Sequence, residues 1–264
     1  MPLDPPCFTG TYTAELSVVQ VTHVIQWVRV IIRSGNGQLL LIKQTDHATL
    51  ARRIMAAWRR DGLPSSPRRD VILLATRRHD DAWIDEDRAP LVNDVGEMLD
   101  YLHAPDEVRR DIWPRGVAVL SGHPYAAALV AQHALHLFDK YRAEPAWQDF
   151  FSAMERTRAE QLAAAAPHTE DDLCADYFFV RMGDLLSLQF CDDWYEPQAD
   201  GPYMSTWDGE RLTVTPDPFE GSEVPLTVTA RRLTVQVFST QVELARALAL
   251  APTVTLRGVA SGSR

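Results

Sequence analysis

The side chains with the most chemical potential are an aspartate in an apolar stripe, a His-Asp doublet and two histidines on apolar helical faces. Leu173, Tyr177, Val180, Asp184, Leu188 and Cys191 are spaced by three and four residues, which places them on one face of a helix with Asp184 in the middle. A buried ionised carboxylate is costly unless it meets a cation, a metal ion or several hydrogen bonds. Asp184 is therefore either a ligand or one half of a structural pair with a buried arginine or a helix end. His47 shares a face with Leu50, Ile54 and Trp58, and His133 lies beside Leu129, Val130 and Leu137. One such histidine is ordinarily a hydrogen-bonded core residue; two, with a buried aspartate and a doublet, invite a common explanation.

The doublet is His79-Asp80. Neighbours in a helix point about 100° apart and do not normally share a ligand. At a helix end, however, both can converge on one ion from the final turn. Imidazole nitrogen mixed with carboxylate oxygen suits Fe, Mn, Zn, Co or Ni. Without an ion the same residues would form a buried hydrogen-bonded network.

These residues need helices to hold them. Residues 46–60 place His47, Leu50, Ala51, Ile54 and Trp58 on one face, and DGLPSSP ends that helix. A second helix is expected over Asp70 to His79, and a third from Pro124 to about Tyr141. A fourth is expected near 145–165 and a fifth from Asp171 to Trp194. Residues 81–122 read as loop and short helix. Val18 to Lys43 is rich in β-branched residues around a Ser-Gly-Asn-Gly tract, the pattern of a β-hairpin. After Pro197, RLTVTP, PLTVTA, RRLTVQVF and TVTLRGV alternate like strands, with QVELARALALA a short helix among them and a disordered tail after Gly258. The expected fold class is mainly α, a helical core with a small β-sheet formed by the N-terminal hairpin and C-terminal strands. One domain is expected over 18–264, with the core at about 44–195, β elements at 18–43 and 200–258, and an extension or disordered segment at 1–17. A separate C-terminal β-domain is the competing picture.

Composition narrows the partners. The chain of 264 residues is 46% hydrophobic and 23% charged, an ordinary globular balance. A net charge of −10 argues against broad binding to nucleic acid or to an anionic membrane. The three cysteines form no C-x-x-C pair, no run of 18 apolar residues exists and the start is a poor signal peptide, so a cytoplasmic location is expected. The terminal strands could complete one sheet or mediate association into a homodimer.

The order His47, His79-Asp80, Asp184, each on a helix, resembles the HD superfamily of metal-dependent phosphohydrolases and their few oxygenase relatives. QTDHATLA at 44–51, HDDAW at 79–83, HPYAAALVAQH at 123–133 and MGDLLSLQFC at 182–191 are closer still to a bacterial family catalogued as domain of unknown function 3891. The resemblance implies an HD-like helical core and one metal held by His47, His79, Asp80 and Asp184. His123 and His133 fall where two-metal members supply further histidines, and His133 is the better second-metal candidate. Asp81 and His123 are the candidates for proton transfer. The implied reaction is hydrolysis of a small phosphoester or nucleotide-like substrate. The alternatives are a di-iron oxygenase and a non-catalytic metal-binding scaffold. The chain lacks the Gly-Tyr-Pro motif of the cyclic-dinucleotide branch and any Gly-rich phosphate loop. Arg52, Arg53, Arg77 and Arg78 lie near the motifs and could meet a phosphate. Trp83, Tyr125 and Trp194 are the aromatic candidates for the pocket wall.

Overall fold

The computed structural model describes residues 30–84, 92–93 and 95–263. Hairpin strands β1 (Ile31–Gly35) and β2 (Gln38–Ile42) turn at Asn36 and Gly37, both with positive φ. Those angles suit a primed two-residue turn. The residues expected to begin the hairpin, 18–29, lie outside the described part. Helices follow: α1 (Gln44–Ala57), α2 (Arg69–Arg78), α3 (Asp106–Val119), α4 (Pro124–Leu137), α5 (Gln148–Ala164) and α6 (Glu170–Cys191). The chain then gives β3 (Gln198–Asp200), β4 (Tyr203–Trp207), β5 (Arg211–Thr215) and β6 (Val224–Thr234), followed by α7 (Gln241–Leu250) and β7 (Thr253–Gly262).

The seven strands form one mixed sheet in the order β1-β2-β6-β7-β5-β4-β3, antiparallel except where β5 pairs with β7. The antiparallel pairing of β2 with β6 joins the two ends of the chain in one sheet. Alternation sorts neighbouring residues to opposite faces. Ile31 and Ile42 enter the main core with the helices, whereas Val30, Leu41 and Leu233 pack with Phe238 and α7's Leu244 in a smaller cluster.

The expected mainly helical, HD-like core with a small sheet is therefore corrected. Of the described residues 52% are helical and 21% lie in strands, and the sheet curls into a half-barrel. The sheet is larger than expected for three reasons. PLTVTA and RRLTV form one 11-residue strand, β6. β7 runs to Gly262 in the expected tail, paired with β5 and β6. In β4 the buried alternation of Tyr203, Ser205 and Trp207 contains a serine, whose hydroxyl donates to Gln189 Oε1 at 2.6 Å. That polar residue conceals the hydrophobic period.

The helices differ from expectation chiefly at α3, where Pro114 lies inside a 14-residue helix. Proline ordinarily breaks a helix interior, so the segment reads as loop. α6 begins with a capping box between Thr169 and Asp172. No described helix is long and apolar enough to cross a membrane.

Candidate metal centre

α6 carries Asp184 and packs against α1, which carries His47, and α2, whose C-terminal end the doublet directly follows. Gly183 sets this approach, since a Cβ there would lie 2.8 Å from both Met55 Cγ and Thr76 Cγ2. α2 ends at Arg78, and Asp80 at φ −106°, ψ 16° has left the helical conformation. This departure lets consecutive residues turn toward one point. All six residues of the apolar stripe are buried, Asp184 among them at 3% exposure. α4, buried along nearly its whole length, presents His133.

Donor atoms come together in two overlapping sets, His47–His79–Asp80 and His79–His133–Asp184, each with its atoms within 4.8 Å of one another. His79 Nε2 stands 3.2 Å from Asp184 Oδ1 and 3.4 Å from Asp80 Oδ2. His47 Nε2 stands 2.6 Å from Asp80 Oδ2, and His133 Nε2 is 3.6 Å from Asp184 Oδ2.

Proton counting fixes which nitrogens face inward. His79 Nδ1–H donates to the Thr76 carbonyl at 2.8 Å. Its Nε2 is buried with no hydrogen-bond partner. The Ser187 hydroxyl donates to the Asp184 carbonyl at 2.9 Å, so it accepts from His47 Nδ1–H at 3.0 Å. With Nδ1 carrying the proton, each ring turns Nε2 toward a carboxylate oxygen, where only a second proton or a cation makes the contact favourable. Lone pair against carboxylate is repulsive unless a proton or a metal cation lies between them. Outer nitrogens anchored to local acceptors are also the usual support of metal-bound histidines.

The electrostatics agree. Burial opposes charge on His79, but the Asp80 and Asp184 carboxylates outweigh it and hold its pKa well above the ordinary histidine range. Burial likewise opposes charge on Asp80 and Asp184, yet the histidines hold both carboxyls below their usual range. The cluster requires positive charge at its centre. His133, pushed down to about 3 chiefly by burial, stays neutral and able to bind a cation.

A family model described as "Protein of unknown function (DUF3891)" matches residues 30–235, a span that contains all five clustered side chains. The chain belongs to the DUF3891 family. No curated protein and no solved structure matches it.

In this DUF3891 chain the cluster borders a cavity of about 310 Å³. His47, Asp80, His133 and Asp184 line it with Gln44, Trp83, Tyr101, Trp113, Phe138 and Tyr141. Two cationic side chains, Arg109 and Lys140, also line it. Neither is legible in the sequence, because Arg109 sits on the helix hidden by Pro114 and Lys140 in a short turn after α4.

Several other candidates lie elsewhere. Asp81 accepts from Arg78 Nε at 2.5 Å and faces a separate groove with Arg52 and Arg77. Arg53 donates to the Thr227 carbonyl. His123 is exposed at the N-terminus of α4 and is not part of the cavity wall. Tyr125 donates to Asp176 at 2.7 Å, and of the three aromatic candidates only Trp83 lines the cavity.

Proposed function

We propose that this DUF3891 protein is a metal-dependent hydrolase of small phosphoesters, with a divalent transition ion held by His47, His79, Asp80 and Asp184. The observation that carries the reading is the buried, unpartnered His79 Nε2 between two carboxylates. The ligand order along the chain resembles that of the HD superfamily and supports the hydrolytic part. A bound ion would act as a Lewis acid on a phosphoryl oxygen and lower the pKa of water in the site.

The chain's own residues prepare that chemistry. Thr76 and Ser187 hold the two imidazoles in the tautomer that turns Nε2 inward. Asp80 and Asp184 supply two negative charges, which favour a divalent cation. Trp113, Phe138 and Leu188 narrow the cavity and limit bulk water around the reacting groups. The test is a panel of small phosphoesters assayed with Mn²⁺, Fe²⁺ or Ni²⁺. Turnover abolished by Asp80→Ala is the expected result. A metal-loaded protein without turnover would make it a metal-binding scaffold, and turnover that survives Asp80→Ala would contradict the site.

A second reading, a di-iron oxygenase, draws on the overlap of the two donor sets at His79. There His133 would serve a second ion. Protein purified without oxygen would then contain two irons per chain and consume oxygen; one ion per chain would end that reading.

A further inference from the structure

The wall of the same cavity carries donors that the fold leaves unused. α3 approaches the turn after Asp80 closely, since a Cβ on Gly116 would lie 2.8 Å from Ala82 Cβ. Arg109 and Trp113 are four residues apart on that helix and share a face. The Trp113 ring meets His133 edge-on, with centroids 5.6 Å apart. Its indole N–H is buried without an acceptor, as is Arg109 Nε. A buried unsatisfied donor is destabilising, so two on one cavity-lining face call for an acceptor that a ligand oxygen would supply. Lys140 places its ammonium 4.9 Å from the centre of the Tyr141 ring and has no carboxylate partner among the described residues.

A purely structural role explains part of this. Arg109 donates to Tyr141 Oη at 3.3 Å and pairs with Asp106 at 2.9 Å, which ties α3 to the turn after α4. Asp106 is only partly buried, and an ion pair open to solvent contributes little. Neither contact uses Nε, and neither concerns Trp113.

We propose that Arg109 and Trp113, with Lys140, bind the phosphoryl group of the substrate in the cavity that the metal ligands border. The inference rests on the hydrolase reading and names what that site recognises. Among the cavity's charged side chains, Asp80 and Asp184 stand against Arg109 and Lys140. A divalent ion held there would cancel the two carboxylates and leave the two cations to attract an anion. Guanidinium and indole N–H groups then donate to phosphoryl oxygens, while Trp113, Phe138 and Tyr141 offer apolar surface to the rest of a small ester.

Calorimetry of inorganic phosphate with the manganese-loaded protein tests this, with metal content measured separately for every variant. Arg109→Gln is expected to weaken phosphate binding roughly tenfold or more, and Trp113→Phe and Lys140→Gln by smaller factors, at unchanged metal content and melting temperature. If Arg109→Gln fails to fold, Arg109→Lys, which keeps the charge but loses the fork, is expected to bind phosphate more weakly than wild type. Phosphate affinity indifferent to these changes, or acetate bound as tightly as phosphate, overturns the proposal. Wild type that takes up no metal would instead count against the hydrolase reading, so the two failures are distinguishable.

Discussion

Two buried aspartates lie eight residues apart on α6 and meet opposite surroundings. Asp176 is paired with the Arg68 guanidinium through both carboxylate oxygens and also accepts from Tyr125. Asp184 is surrounded by His47, His79 and His133, and among the described residues no arginine or lysine pairs with it. Burial is nearly the same, 4% and 3% exposed, so depth alone does not mark a site. The partners differ: an arginine cannot lose its proton and closes the account of charge permanently, whereas imidazoles can turn lone pairs inward and leave room for a cation. Asp200 with Arg181 repeats the closed arrangement.

The largest expected contrast comes from removing each carboxylate in turn. Asp184→Asn is expected to lower metal affinity by more than about a hundredfold, read by elemental analysis after dialysis, because it removes a ligand rather than an outer support. Asp176→Asn is expected to retain its metal yet lose about 2–3 kcal/mol in denaturant unfolding, since it leaves Arg68 without its main partner. Equal metal loss in both variants would erase the distinction. Next comes Ser187→Ala, which removes the acceptor holding His47 in its inward tautomer. A fall of about tenfold in metal affinity is expected with little change in stability. Gly183→Ala tests how closely the helices must approach. A methyl there meets Met55 and Thr76, at an expected cost of about 1–2 kcal/mol that thermal melting would reveal.

The smallest effect concerns pH. His133 is held neutral in the fold, with its pKa pushed down to about 3, while the unfolded chain protonates it near the ordinary value of about 6.5. The unfolded state therefore binds more protons in that window. The His133 contribution is intact above about 6.5 and is lost as pH falls toward 3, about 1 kcal/mol over the first pH unit. The metal-free His133→Gln variant is expected to show a shallower acid-side slope than wild type. An unchanged slope would mean that His133 is not buried neutral.

Much of the site was legible because its signal is local. A three-and-four spacing exposes a misplaced carboxylate at Asp184, and a doublet at a helix end allows convergence at His79-Asp80. Asp81 shows the limit of sequence proximity. One residue further on, the side chain turns away to Arg78 and Arg77. His123 shows the same limit at a helix start, where it remains exposed. Trp83 was legible as a wall residue, whereas the α3 side of the wall was not, because Pro114 obscures that helix and with it the positions of Arg109 and Trp113. The half-barrel was underestimated because strand pairing between distant segments leaves no local mark, and because Ser205 occupies a buried strand position through its bond to Gln189.

The most direct test of the central claim is an anomalous-scattering map from crystals grown with manganese. A peak bounded by His47 Nε2, His79 Nε2 and the carboxylates of Asp80 and Asp184 is expected. A cluster with no peak at saturating metal, its histidines joined to the aspartates by protons alone, would contradict it.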